Sequence, residues 1–452
     1  MAQAIRKPGI LRRSGVAVAA LLAFAAGNAG AVSLQQAYEA ALKNDPQYRM
    51  NYYENESAKE NVNLGRSNLL PRLSGSYRAS RNIADTFNCC DRFGVDVPAH
   101  PRYISRSASI NLQQPILNLD SIFRYRQGKV QTAQGAKKFE SDTNDVIIRV
   151  VGAYADALFA EDQVELSRVQ RDMYLEQMKV NNRLFEKGEG TKTDMLETQA
   201  RLDLAEAQLV EARNNAIAMR NTLAGIIGMD PGTLDKLGPE FRFQDLPLKS
   251  FEDWRRTAEE RNPLLAAGRL AVENARLEIK RQKAGHLPTV DLVAGYSRDD
   301  AASLQNYNQD SINRTVGVQV NIPIYQGGAI SATTRQAAAN LERSRAELDS
   351  QSNRIMVELR KSYDLVENSV AMITALERAV ASGKELMVAT EKSVAGGVRI
   401  NLDLLNAQQQ LYTSQRDLAQ ARYSYLLGLL RLRADAGTLN PDAVREVAAY
   451  FR

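Results

Sequence analysis

The chain has 452 residues, 44% of them hydrophobic and 25% charged, with 58 Lys and Arg against 53 Asp and Glu. That length allows two or three ordinary domains, and the composition excludes little by itself. The charge excludes more. Four basic residues fall in the first 31 positions, so the remainder balances at 54 against 53 and offers nucleic acid no electrostatic footing.

Residues 1–31 read as a cleaved secretory signal. Arg6, Lys7, Arg12 and Arg13 precede an apolar run at 15–27, and Ala29-Gly30-Ala31 supplies an A-x-A cleavage site. The run is too short to span a bilayer, and no later stretch approaches the ~20 apolar residues of a membrane helix. Membrane insertion therefore requires strands.

Residues 32–240 form a first structural unit. It opens with a helix and passes into two stretches of period two, about 72–81 and 105–113. Leu73, Tyr77 and Ala79 share a face of the first, and Ala108, Ile110 and Leu112 alternate with Ser107, Ser109, Asn111 and Gln113 in the second. The polar loop between them, 82–104, holds the only cysteines, Cys89 and Cys90. Neighbouring Cα atoms lie ~3.8 Å apart, below the usual disulfide span of ~4.4–6.8 Å. A Cys89–Cys90 bridge is strained, and an intersubunit bridge or two free thiols fits at least as well. From 118 to 228 there is no proline, and the only break is at Gly188 and Gly190, which predicts a hairpin of two very long helices, about 118–187 and 194–228. An arm of about 70 residues reaches on the order of 100 Å. Behind the turn, Met195, Leu202, Leu209, Ala216 and Leu223 recur every seven residues, with small Thr198, Ala205 and Ala212 three residues on, a coiled-coil seam.

Residues 241–262 are read as a linker, and 263–437 repeat the first unit. Strands are expected at about 289–297 and 314–322 around a polar loop, 298–314. A second proline-free hairpin at 328–436 is broken at Gly396 and Gly397, with Leu404, Leu411, Leu418, Tyr425 and Leu432 in heptads. Residues 438–452 form a tail. Pro46 and Pro263, like Pro71 and Pro288, stand 217 apart, while Tyr154 and Tyr363, Asp194 and Asp403, and Gly228 and Gly437 stand 209 apart. The chain is a tandem duplication.

Strands of about nine residues with one aliphatic face and one hydroxyl, amide or glycine face match a membrane barrel, with lipid outside and water inside. A half-buried soluble sheet is the alternative on the strands alone. Four strands do not close a barrel, and in lipid every edge must be paired, so the chain must lend its strands to a shared one. With long helices at the other strand ends, the two loops face outside the cell.

Nothing in the chain reads as catalytic. His100 and His286 are the only histidines, with no nucleophile or metal-ligand cluster beside them, and no phosphate loop is present. The reading is therefore not an enzyme, with no cofactor and no metal. A self-contained porin needs more strands, and a purely structural coiled coil leaves the alternating strands unexplained.

"SLQQAYEAALKNDP", "GHLPTVDL", "VNIPIYQGG", "GVRINLDLLNAQQQLY" and "ARYSYLLGLLRLRADAGTLN" carry a resemblance to the TolC family of outer-membrane efflux and secretion ducts, covering essentially the whole chain after the signal. "RLFEKGEGTKTDMLETQARLDLAEAQ" looks most like the branch serving type I secretion of proteases and adhesins. The resemblance implies an α+β membrane protein in the outer membrane. Its homotrimer would share a twelve-stranded barrel over a periplasmic helical tunnel, with an equatorial region near 229–262 and after 437. It also implies a periplasmic adaptor and an inner-membrane ABC exporter as partners, exported protein as cargo, and multidrug or small-molecule efflux as the alternative. The helix turns then close the far end of the tunnel. In the family an Arg and two acidic residues line the second turn; Arg399 and Asp403 match, Asn406 replaces the second acid, and Val394 stands where an aromatic latch is expected.

Side-chain chemistry suggests roles for these positions. Asp194 and Glu197 have capping-box spacing, which makes Asp194 a helix cap, and Asn401 is expected to cap the second helix with Asp403 in its first turn. Three copies of Asp403 on a narrow axis would make a cation-selective ring, with Arg399 pairing a neighbouring carboxylate. The gate therefore groups Arg399, Asp403, Asn406 and Asp194 with the turn glycines Gly188, Gly190, Gly396 and Gly397.

Overall fold

The computed structural model describes residues 32–83, 85–88, 97–100, 102–238, 241–244, 246–248, 250–301 and 309–451; the signal segment, Cys89 and Cys90 lie outside the described residues. The first copy begins with three helices, α1 (Leu34–Asn44), α2 (Pro46–Lys59) and α3 (Asn61–Ser67). Strands β1 (Arg72–Ile83), β2 (Thr86–Asn88), β3 (Val97–Ala99) and β4 (Arg102–Leu117) follow, then the long helices α4 (Leu119–Glu186) and α5 (Lys192–Ile227). The second copy runs α6 (Phe251–Arg261), α7 (Pro263–Ala284), β5 (Thr289–Ala301), β6 (Gln309–Asn321), α8 (Ala329–Ala395) and α9 (Asn401–Asp435), and ends in the short α10 (Asp442–Ala448).

The duplication is written into the helix starts. Ser33 caps α1 by accepting from the Gln36 amide, and Ser250, 217 residues on, caps α6 by accepting from the Asp253 amide. Asp45 and Asn262 then cap α2 and α7, each followed by a proline at the first helical position, where no amide is needed. α6 occupies much of the stretch read as a linker, so the second copy starts at Ser250.

The long helices span 68, 36, 67 and 35 residues, so α4 and α8 reach about 100 Å. The heptad residues Leu202, Leu209, Ala216 and Leu223 on α5, and Leu404, Leu411, Tyr425 and Leu432 on α9, are buried along the seams; Met195 and Leu418 are half-buried. No helix among the described residues is long and apolar enough to cross a membrane.

Four strands form one antiparallel sheet in the order β1-β4-β5-β6, with β1 and β6 at its edges. The pairing Leu73↔Leu112, Leu112↔Ala294 and Ala294↔Val316 continues one apolar row across all four strands. Hydroxyl and amide groups line the other face and bond across it, Ser76 Oγ to Ser109 Oγ at 2.9 Å and Ser80 Oγ to Ser105 Oγ at 2.7 Å. β1, β4 and β5 extend beyond their apolar alternation at the loop ends, where charged side chains take over the same phase.

Between strands and helix turns lies an equatorial core. Val146, Ile147, Val150, Val151, Tyr154 and Leu158 of α4 pack with Trp254, Tyr425 and Leu429. Backbone bridges Val32↔Leu234 and Leu237↔Phe451 tie the first and last described residues into it. The Tyr154 hydroxyl donates to the Val32 carbonyl at 2.9 Å and accepts from the Asp235 amide at 2.9 Å. Burial pushes that phenol well above its usual range.

Candidate functional site at the hairpin turns

The two turns at the far ends of the hairpins share one backbone design. Gly188 and Gly397 take the left-handed conformation, φ 77° and 73°, and each ends its helix by donating to the carbonyl three residues back, Phe185 and Val394, at 3.0 Å. The next two amides, of Glu189 and Gly190, reach the Leu184 carbonyl at 2.9 and 3.1 Å; those of Val398 and Arg399 reach Ser393 at 2.9 and 3.3 Å. Arg399 therefore sits where the first turn has Gly190. Gly396 (φ −83°, ψ 1°) has the dihedrals of Lys187 (φ −82°, ψ −7°) at the equivalent site. Only Gly188 and Gly397 of the four turn glycines are demanded by conformation.

The helix starts differ from the sequence reading. α5 begins at Lys192 with Thr191 as its cap: Thr191 Oγ1 accepts from the Asp194 amide at 3.1 Å, and Asp194 Oδ2 accepts from the Thr191 amide at 3.4 Å and its hydroxyl at 2.6 Å. Asp194 is thus the returning acid of a capping box and not a cap paired with Glu197. On α9 the cap position is Ile400, which gives no side-chain bond, and Asp403 lies in the first turn. Asn401 caps nothing, because its side chain turns inward.

What Asn401 joins is a closed ring of polar side chains between the two hairpins. Gln177 Nε2 donates to Asn401 Oδ1 at 2.9 Å and to Asn181 Oδ1 at 3.0 Å. Asn181 Nδ2 and Asn401 Nδ2 then both donate to Thr198 Oγ1, at 2.8 and 3.0 Å, and that hydroxyl donates to the Asp194 carbonyl at 2.8 Å. Thr198 is 0% exposed, and Asn181 and Asn401 are also buried. Nearer the equator the same seam stays polar: Gln170 Nε2 donates to Gln409 Oε1 at 2.7 Å, and Ser167 and Tyr412 bond through their hydroxyls at 3.2 Å. The α4 members, Ser167, Gln170, Tyr174, Gln177 and Asn181, step by three and four residues, a heptad seam made of polar groups. That spacing is the signal the sequence carries; of the ring, the apolar heptads mark only Thr198.

Beside the ring a cleft of about 660 Å³ opens between the turns, lined among others by Asp194, Val394, Arg399, Asn401 and Leu404. Arg399 is exposed and Asp403 half-buried, and no ion pair joins them among the described residues. Asn406 accepts from Arg201 at 3.2 Å, which links α5 to α9 on the outside. The exposed apolar residues of the second turn, Val398 and Ile400, stand where the first turn has the polar Glu189 and Thr191. Groups of three or more potential metal ligands are absent among the described residues.

An open sheet with one apolar face, two long hairpins and two copies of one unit is an unusual combination. The sequence model described as outer membrane efflux protein matches it twice, at residues 37–229 and 254–438. The chain belongs to that family. It is similar to the alkaline protease secretion protein AprF of Pseudomonas aeruginosa, at 39% identity over 94% of this chain and 88% of AprF. It is also similar to the proteases secretion protein PrtF of Dickeya chrysanthemi, at 37% identity over 98% and 96%. Among solved structures, the outer-membrane channel CmeC of Campylobacter jejuni matches with a TM-score of 0.77 at 17% identity, over 93% of this chain and 90% of that one. The chain is an outer-membrane protein of the TolC-like fold, and its family is one of channels and not of enzymes.

Proposed function

We propose that three copies of this chain form the outer-membrane exit duct of a type I secretion system. They close a twelve-stranded barrel and a periplasmic tunnel that meets an adaptor and an inner-membrane ABC exporter. The observation that carries this is the four-stranded sheet. Its β1 and β6 edges end in unpaired backbone while one face is aliphatic, and exposed edges are forbidden in lipid, so edge must meet edge of another copy. Full-length similarity to two protease secretion proteins supports a protein cargo, protease or adhesin-like.

The turns are the gate. Arg399, Asp403 and Asn406 with Asp194 border the periplasmic aperture, and the buried ring of Gln177, Asn181, Thr198 and Asn401 holds one hairpin against the other in each subunit. Each such bond contributes a net ~0.5–1.5 kcal/mol, enough together to favour closure and little enough for engagement by a partner to undo.

Deleting the gene and comparing the secreted proteome with drug susceptibility tests the cargo. Loss of one extracellular protease with unchanged susceptibility supports secretion. Drug hypersensitivity with an intact secretome moves the reading to multidrug or small-molecule efflux.

A further inference from the structure

The outward phase of the sheet carries more than an apolar band. On β1 it runs Leu73, Tyr77, Ala79, Arg81 and Ile83, and on β4, in the same direction, Leu112, Ile110, Ala108, Arg106, Ile104 and Arg102. β5 adds Arg298 and Asp300 beyond Tyr296, and β6 adds Arg314, Ile312 and Asp310 beyond Val316. All five arginines are exposed and share the lipid-facing side with the aliphatic residues, but only at the loop end.

These arginines are not equivalent. Arg298 is bound in the chain to Asp310 through two bonds of 3.1 and 2.6 Å, and Arg314 lies 6.0 Å from the Tyr296 ring. Arg81, Arg102 and Arg106 are in no ion pair among the described residues; Asp300 stands opposite Arg106 in the register, and Asp85, two residues beyond the Ile83 that pairs with Arg102, is bound to His100. Arg81 pairs with Ile104, which places Arg102 and Arg106 as its diagonal neighbours, about 7–8 Å away between backbones. Three arginines thus occupy neighbouring positions of one face above an apolar wall.

A cation on the lipid face is costly at mid-bilayer and nearly free of cost near an interface, so this cluster belongs at the headgroup level of the outer leaflet. Guanidinium groups bind phosphate with paired, charge-assisted hydrogen bonds. We propose that Arg81, Arg102 and Arg106 bind the phosphate groups of a phosphorylated outer-leaflet glycolipid, with its acyl chains along Tyr77 and Ile110. The site rests on the barrel reading only for which face meets lipid.

The test is native mass spectrometry of delipidated wild-type trimer titrated with bis-phosphorylated lipid A, with its dephosphorylated form, and with the bis-phosphorylated lipid in excess inorganic phosphate. The phosphorylated lipid is expected to bind at least tenfold more tightly than the dephosphorylated one, Arg102→Gln/Arg106→Gln to lose at least tenfold, and inorganic phosphate to displace nothing. Equal binding of both lipids, or unchanged binding by the variant, overturns the site. Displacement by inorganic phosphate overturns it too, marking a plain anion site. A heat-modifiable trimer band reports the barrel separately, and if the double variant yields no trimer, the wild-type comparison of the two lipids decides.

Discussion

α4 meets its neighbours in two chemically different halves. From Val146 to Leu158 the buried residues are mostly aliphatic, with Tyr154 bonded to Val32 and Asp235; from Ser167 to Asn181 they are Ser, Gln, Tyr and Asn. Apolar burial is strong and does not depend on angle, whereas a hydrogen bond exchanges readily for one to water. The difference places the fixed part of the molecule at the equator and the separable part at the turns.

The comparison breaks most visibly at the equator. Leu158→Ala leaves a cavity at a fully buried site and is expected to cost about 2–5 kcal/mol, read as a lower dissociation temperature of the trimer, with closed-state conductance unchanged in the molecules that assemble.

Asp435, at the end of α9, is the next largest lever. Burial, with Glu358 and Asp145 nearby, pushes its carboxyl up to about 6 despite the Ser362 hydroxyl it accepts at 3.0 Å and the Arg431 charge. The folded chain therefore holds this proton at higher pH than the unfolded chain. Its ionisation destabilises the fold above about pH 6, and the penalty vanishes below the unfolded value near ~3.9. Asp435→Asn is expected to raise stability by about 1–3 kcal/mol at pH 8 and by nothing at pH 4. Melting curves with the same gap at both pH values would refute the assignment.

At the turns the costs are smaller and the functional effect larger. Thr198→Val takes the shared acceptor from two buried amides, leaving Asn401 Nδ2 unpaired and Asn181 Nδ2 only its 3.4 Å bond to the Asp194 carbonyl, about 1–3 kcal/mol against the closed arrangement, while Thr198→Ser keeps the ring. Gly188→Ala forces an alanine into the left-handed region and is expected to cost about 1–2 kcal/mol. Gly190→Ala should cost less, since Arg399 already holds the matching place in the other turn; equal melting shifts for the two variants would undo that equivalence. Arg399→Ala and Asp403→Ala are expected to change stability by under about 1 kcal/mol while altering conductance or ion selectivity in bilayers. No change in either property leaves both residues a structural role.

The elements were legible where one physical constraint dominated. Missing prolines and paired glycines marked the hairpins, and aliphatic alternation marked the strand centres. The strand ends were hidden because Arg102, Arg298, Asp300 and Asp310 sit in the outward phase, where a charge reads as loop. The start of α5 is ambiguous in sequence for a local reason: Thr191-x-x-Asp194 and Asp194-x-x-Glu197 are overlapping cap signatures, and only the backbone of the turn chooses between them. Asn401 looked like a cap because its partners, Gln177 and Thr198, are more than 200 residues away in the chain. The polar seam of α4 is illegible in sequence because, in one dimension, a buried row of Ser, Gln and Asn resembles a solvated face.

Closure by the polar ring is tested most directly by single-channel conductance of purified trimers in planar bilayers for wild type, Thr198→Val and Thr198→Ser. The ring predicts a higher or more frequently open conductance for the valine variant and wild-type behaviour for the serine variant. Identical traces from all three, with Thr198→Val assembled as a heat-modifiable trimer, would contradict it.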